Sequence, residues 1–249
     1  PTPIFIHCEW KNLQFIGGSL SMNKLKIGIG LCFYQDLHSL TRCLYSLQPY
    51  LLDYLIAVDG RFKEYPAEGE LSEQKCIDLV KSFRHPVKYL AAPALDEMEK
   101  RQMCFEECKR FGIDVLIVLD SDEYIVPTAT NWDLFHLDLL DKINNNISYK
   151  QGYHIPTIRR KLDKNEENIL DVDGDVQNLP KLFYRPGCLE YVGNPYTIRD
   201  KKTGLIQIYS GNAVCQHIMI GHDHSLRSNK SIDEHLAYQN RLVHKQMRA

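Results

Sequence analysis

Asp120-Ser121-Asp122 follows directly on the apolar run Val115 to Leu119 (VLIVL). Two carboxylates either side of one residue, at the end of a buried strand, project toward a common point beyond the sheet edge. Hard divalent cations take oxygen ligands and bridge to phosphate oxygens, so the pair predicts a metal–diphosphate site. The ion would offset charge developing on a leaving diphosphate. An acidic turn capping the next element is the plainer use of such a tripeptide.

Asp59 closes a second apolar run, Tyr54 to Val58 (YLIAV), and precedes Gly60. On the same sheet edge a carboxylate there can accept from a ribose hydroxyl or a base N–H; alone, Asp before Gly is also a common turn. A third group lies near the end of the chain, His222-Asp223-His224-Ser225-Leu226-Arg227, with Lys230 beyond. Either histidine can add an imidazole ligand to a metal. Arg227 and Lys230 can hold a diphosphate, the arginine through its bidentate fork. His217 alternates to the opposite strand face and is expected in the core or behind the ligands.

The elements that must position these residues alternate. Lys26 to Phe33 (KIGIGLCF) reads as a buried strand, and His38 to Leu51 as an amphipathic helix with Leu40, Leu44, Leu47 and Leu51 on one face. Strand Tyr54 to Val58 follows, then a helix from Glu70 to Phe83 with Ser72 as its cap, then a short strand from Val87 to Leu90. A charged helix spans Asp96 to Phe111 and stops at Gly112, as a C-terminal glycine predicts. Such alternation is the mark of βαβ units and a parallel sheet. Past Pro127 the rhythm changes. A helix is expected over Trp132 to Ile143 and strands over Tyr153 to Ile158, Lys181 to Tyr184 and Val214 to Ile220, with a closing helix from Ser231 to Met247. The polar stretch Lys161 to Asn178 reads as a surface loop or a lid.

Composition narrows the classes. The 249 residues suffice for one large α/β domain. Apolar residues at 44% and charged residues at 25% exclude disordered and membrane-embedded chains. Lys plus Arg total 30 against 32 acidic residues, which leaves no basic field for nucleic acid. No apolar run reaches the ~18–20 residues that span a bilayer, so the expected location is the cytoplasm or a membrane face. The eight cysteines lack paired ligand spacing, which argues against zinc and for free thiols. Residues 1–21 contain Gly17-Gly18-Ser19 and precede Met22; they read as a leader or a vector-derived remnant, with the domain over 22–249.

The order of an apolar strand, VDG, a helix bearing Lys100-Arg101, VLIVLDSDEYI and a late H-x-H-x-x-R resembles GT-A-fold glycosyltransferases of the family-two type. The likeness runs from about Lys24 to Tyr238 and is most specific at DSDEYI. It implies a single GT-A-like, Rossmann-like α/β domain with a mostly parallel central sheet flanked by helices. By that likeness Asp59 touches the nucleoside, Arg101 lies near the nucleotide, and Asp120 and Asp122 bear the metal (Mn or Mg) and the diphosphate. His222 is the late metal ligand, with His224 beside it or meeting the phosphates next to Arg227. Leu182 to Arg199 is similar to the acceptor-side segment, but Asn194-Pro195-Tyr196 stands where a His-Glu pair is usual. Glu190 is then the nearest candidate for a catalytic base.

The expected function is transfer of a sugar, with inversion, from a nucleotide-sugar donor to a hydroxyl of a glycan, lipid or protein. A nucleotidyltransferase is the alternative on the same fold, although strand one leads into Cys32-Phe33-Tyr34-Gln35-Asp36 with no glycine-rich phosphate loop. A carbohydrate- or protein-binding module without catalysis is the non-enzymatic alternative.

Overall fold

The computed structural model describes residues 25–63, 65, 69–146, 152–160, 176–208 and 214–223. The first half is a run of parallel units: β1 (Ile27–Phe33), α1 (Leu37–Leu47), β2 (Tyr54–Asp59), α2 (Gln74–Lys81), β3 (Val87–Ala91), α3 (Glu97–Phe111) and β4 (Val115–Asp120). The second half holds β5 (Glu123–Ile125), α4 (Trp132–Asn146), β6 (Gly152–Arg160), β7 (Val176–Tyr184), β8 (Leu189–Val192), β9 (Asn194–Asp200), β10 (Ile206–Ile208) and β11 (Ile220–Asp223).

Eight strands form the central sheet in the order β3-β2-β1-β4-β7-β6-β11-β5. Strands β1, β2, β3, β4, β6 and β11 run one way, β5 and β7 the other. The expected mostly parallel sheet flanked by helices is therefore the fold. A second sheet, β10-β9-β8, is antiparallel.

Every residue of β1 is buried, because helices cover both faces of the parallel half. One core joins Leu40, Leu44 and Leu47 of α1, Val80 of α2 and Phe135 and Leu139 of α4 to Leu31, Leu55 and Ile117 of the sheet. The opposite face packs Cys104, Phe105 and Cys108 of α3 against Ile56, Leu116 and Val118. Each such fully buried aliphatic or aromatic side chain contributes roughly 1.5–3 kcal/mol of burial free energy.

Helix α3 begins with a capping box, in which Asp96 accepts from the Glu99 amide and Glu99 from the Asp96 amide, and ends at Gly112 in the left-handed region. Several expected boundaries move. Helix α1 stops at Leu47, since Pro49 cannot continue it. Helix α2 starts at Gln74 with Glu73 at its cap position, so Ser72 is not the cap. The late strand is Ile220–Asp223 rather than Val214 to Ile220, because His217 turns the chain with φ 62°; its side chain is exposed, not in the core. Strand β7 takes in residues 176–178 of the expected polar loop.

The rest of that loop, the closing helix from Ser231, the head 1–21 and His224, Arg227 and Lys230 lie outside the described residues. The seven cysteines within them are free thiols. No helix among them is long and apolar enough to cross a membrane.

Candidate functional site

The sheet order 3-2-1-4 reverses direction between β1 and β4, and a crevice opens beyond the carboxyl ends of strands at such a switch point. Cys32 of β1 lies opposite Asp120 of β4, and Phe33 opposite Asp59 of β2, so both aspartates sit on that edge. Strand β11 runs parallel to β6 and carries His222 to the same edge, opposite Glu123 of β5. Between β1 and α1 two consecutive non-glycine residues, Gln35 (φ 54°) and Asp36 (φ 56°), adopt left-handed backbone. Strain of this kind persists only where surrounding contacts enforce it, and it concentrates at binding sites. The Gln35 amide donates to Ser72 Oγ at 2.7 Å, and Asp36 accepts from the Ser39 amide at the start of α1.

Asp120 is held by two cations. Arg101 Nη2 lies 3.0 Å from its Oδ2 and 3.3 Å from its Oδ1, and Lys181 Nζ lies 3.4 Å from Oδ2. The same guanidinium reaches Glu97 Oε1 at 2.7 Å, one turn earlier on α3. Lys181 Nζ is 2.7 Å from Glu123 Oε2, an oxygen that also accepts from the Asp120 amide at 2.9 Å. Asp122 faces His222, with Oδ2 and Nε2 3.1 Å apart. Arg101, Asp122, Glu123 and Lys181 are all buried, whereas a third of the Asp120 side chain is exposed. Asp120 is thus the mouth of a network that runs inward.

Burial pushes the Asp120 carboxyl up, but Lys181 and Arg101 outweigh it and bring its pKa down to about 2. Burial likewise works against the Lys181 ammonium, yet Glu123 and Asp120 hold it above its ordinary value. His222 is disfavoured as a cation by burial, and its hydrogen bond to Asp122 and that carboxylate's charge reverse the balance and raise it.

The structure brings together Arg101, Asp120, Asp122 and His222 of the expected site. It separates two others. Asp59 is fully enclosed, and its oxygens already accept from the Ser72 amide at 3.1 Å, Ser72 Oγ at 2.6 Å and Tyr89 Oη at 2.7 Å. These contacts tie Ser72 and Tyr89 of β3 to the carboxyl end of β2. Gly60 follows with φ 140°, where a Cβ would sit 2.7 Å from Ala92 O, and the Gly60 carbonyl accepts from buried Lys100.

Glu190 lies on β8 opposite Arg199 of β9 and pairs with it at 2.5 Å. Its neighbour Tyr191 turns the other way and stacks on Phe105 of α3, ring centroids 4.9 Å apart. Glu190 therefore faces away from α3 and Arg101.

Asp122 and His222 supply one carboxylate and one imidazole at a single point. Among the described residues no group of three or more His, Cys, Asp or Glu side chains can hold a metal ion. The pair suits a divalent ion only as part of a set completed by phosphate oxygens. Lys181 and Glu123 were missed by sequence reasoning. The available signal for Lys181 was Pro180, a residue without an N–H in a strand pattern, which marks a bulge.

The sequence matches no protein-family model and no curated protein. Among solved structures the chain is similar to TarS of S. aureus, at 14% identity and TM-score 0.37, over 56% of this chain and 23% of that one. It is similar to a mannose-1-phosphate geranyltransferase from Thermus thermophilus, at 13% and 0.34, over 55% and 42%. It is also similar to 4-diphosphocytidyl-2C-methyl-D-erythritol synthase from Anaerococcus prevotii, at 13% and 0.39, over 87% and 98%. The chain thus spans about a quarter of TarS and under half of the Thermus protein.

Proposed function

We propose that the chain is a metal-dependent GT-A-like glycosyltransferase that moves a sugar from a nucleotide-sugar donor to an acceptor hydroxyl. The observation that supports it is the charged network at the switch-point edge, built from α3, β4, β5, β7 and β11. Arg101 and Lys181 give two permanent cations against the four carboxylates of Glu97, Asp120, Asp122 and Glu123, so two negative charges remain while His222 is neutral. A diphosphate is repelled by such a site until a divalent ion offsets it.

Asp122 and His222 would hold a Mn or Mg ion, which when bound supplies positive charge against the leaving nucleoside diphosphate. Asp120, exposed at the mouth, accepts hydrogen bonds from donor hydroxyls while Arg101 and Lys181 fix its orientation. Asp59 acts at one remove: through Ser72 and Tyr89 it shapes the wall beside Gln35, where the nucleoside would lie. The tight turn through Gln35 and Asp36 leaves no glycine-rich cradle for a nucleoside triphosphate, which favours glycosyl over nucleotidyl transfer.

The test is a thermal-shift panel of UDP, GDP, CDP and dTDP, each with and without Mn. A ligand at ~100 times its Kd adds about 2.7 kcal/mol of apparent stability. One base is expected to respond with Mn, and Asp122→Asn is expected to abolish the Mn-dependent part while the variant still unfolds cooperatively. No response to any nucleotide, or a response that Asp122→Asn leaves intact, overturns the reading.

A further inference from the structure

The hairpin between β9 and β10 ends in a basic and apolar tip that the candidate site does not use. Lys201, Lys202, Thr203, Gly204, Leu205 and Ile206 are all exposed, the two aliphatic residues at 55% each. Among the described residues these two are the only consecutive large hydrophobics so open to solvent. The tip is held in shape by its own hydrogen bonds. Asp200 Oδ1 accepts from the Lys202 and Thr203 amides at 2.8 Å each, and the Gly204 amide donates to Asp200 O at 2.8 Å. Ile206 opposes Arg199 while Gln207 opposes the enclosed Ile198, so Ile206 stands on the outer face of the small sheet. A turn that fixes leucine and isoleucine in water carries a hydration cost that burial against a partner removes.

The cations around the tip extend it into a face. The Lys201 amide donates to Cys188 O at 2.8 Å, which sets the tip beside the Pro186–Cys188 turn. That turn packs on the end of α3, where a Cβ on Gly187 would lie 2.7 Å from Lys109 Cβ. Arg185 precedes the turn, and its amide reaches Asp114 O at 2.7 Å, beside Lys26. Lys26, Lys109, Arg185, Lys201 and Lys202 are exposed, and none forms an ion pair among the described residues. Arg110 and Arg199 are instead answered by Glu107 and Glu190. The remaining acids here are Glu106, Asp114 and Asp200, of which the last two accept from backbone amides. Five cations against three acids leave this face positive, in a chain of net charge -2. It lies at the amino ends of the parallel strands, the sheet edge opposite Asp120.

We propose that this face docks on an anionic lipid bilayer. Leu205 and Ile206 enter the headgroup boundary, and the five cations meet the lipid phosphates and carboxylates. Basic residues around a small apolar element are what such a surface selects, because neither attraction suffices alone. Size argues against a protein partner: a stable interface buries roughly 800 Å² on each side, whereas the apolar part of this tip is two side chains. Docking of this kind requires no particular reaction at the Asp120 edge and leaves that edge facing away from lipid.

The experiment is co-sedimentation of the full chain with vesicles of phosphatidylcholine alone, or of phosphatidylcholine and phosphatidylserine in equal parts. Binding is expected to the mixed vesicles only, and it should weaken as salt rises, since exposed charges are screened. Lys201→Gln with Lys202→Gln is expected to lower the partition coefficient at least about tenfold. Leu205→Ser with Ile206→Ser should lower it by about the same factor. Leu134→Ser with Leu137→Ser, another exposed aliphatic pair but on α4, should leave it unchanged. All of these positions are exposed, so each variant keeps the fold. Absence of binding to the mixed vesicles, equal binding to the neutral ones, or binding that survives both hairpin variants overturns the proposal. So does a solution dimer that Leu205→Ser with Ile206→Ser dissolves while vesicles bind nothing, which assigns the tip to a second copy of the chain.

Discussion

Asp59 and Asp120 end the two strands that flank β1, on one sheet edge, and the fold treats them in opposite ways. In the purely parallel half, Asp59 is sealed and answered by neutral donors, a serine amide and hydroxyl and a tyrosine hydroxyl. At the border with the mixed half, Asp120 is partly open and answered by a guanidinium and an ammonium. Enclosed carboxylates that meet neutral hydrogen bonds organise a loop. A carboxylate at a mouth, balanced by buried cations, keeps its charge on display for a ligand. The difference teaches that position on a sheet edge is not enough to define a site; the partners behind the carboxylate decide.

The sharpest break in this contrast is Glu123→Ala. It leaves Lys181 buried with only Asp120 at 3.4 Å, and removing one member of a buried pair costs about 3 kcal/mol. Chemical denaturation should show that loss, with most of it recovered when Lys181→Met is added. Asp59→Ala should come next, at about 2 kcal/mol, as Ser72 and Tyr89 lose their common acceptor. A cost for Asp59→Ala above that for Glu123→Ala would invert the comparison.

Protonation sharpens it further. The folded-state pKa of His222 is raised, so its contribution to stability is complete below the unfolded value near 6.5 and is lost as pH climbs through the higher folded value. Melting temperature without metal should therefore fall modestly as pH rises above 6.5, and His222→Gln should flatten that slope. Asp120 has the opposite sign: its folded pKa of about 2 lies below the ordinary 3.8, so its contribution is present above 3.8 and lost as pH falls toward 2. The smallest effect belongs to Glu190→Ala. An exposed cross-strand pair with Arg199 contributes under about 1 kcal/mol, and turnover within about twofold of wild type is expected. A collapse of turnover there, with the melting temperature unchanged, would return Glu190 to the role of base.

The alternation of strand and helix, the all-buried β1, the stop at Gly112 and the placement of Asp59 and Asp120 at strand ends were legible in the chain itself. Each depends on periodicity, capping and turn chemistry within a few residues. The sequence also singled out Asp122 and His222 as members of one site. It could not show that Asp120 belongs to Arg101 and Lys181, that Ser72 serves Asp59 rather than α2, or that Glu190 turns outward. Those assignments join residues far apart in the chain: Asp120 and Lys181 are 61 positions apart, and Asp122 and His222 are 100. Which charges meet across such separations is set by strand order, and in Lys181's case by a single bulge. Tertiary structure alone decided which carboxylate is neutralised from within and which faces a histidine, because the electrostatics of a buried group depends on neighbours that no local pattern specifies.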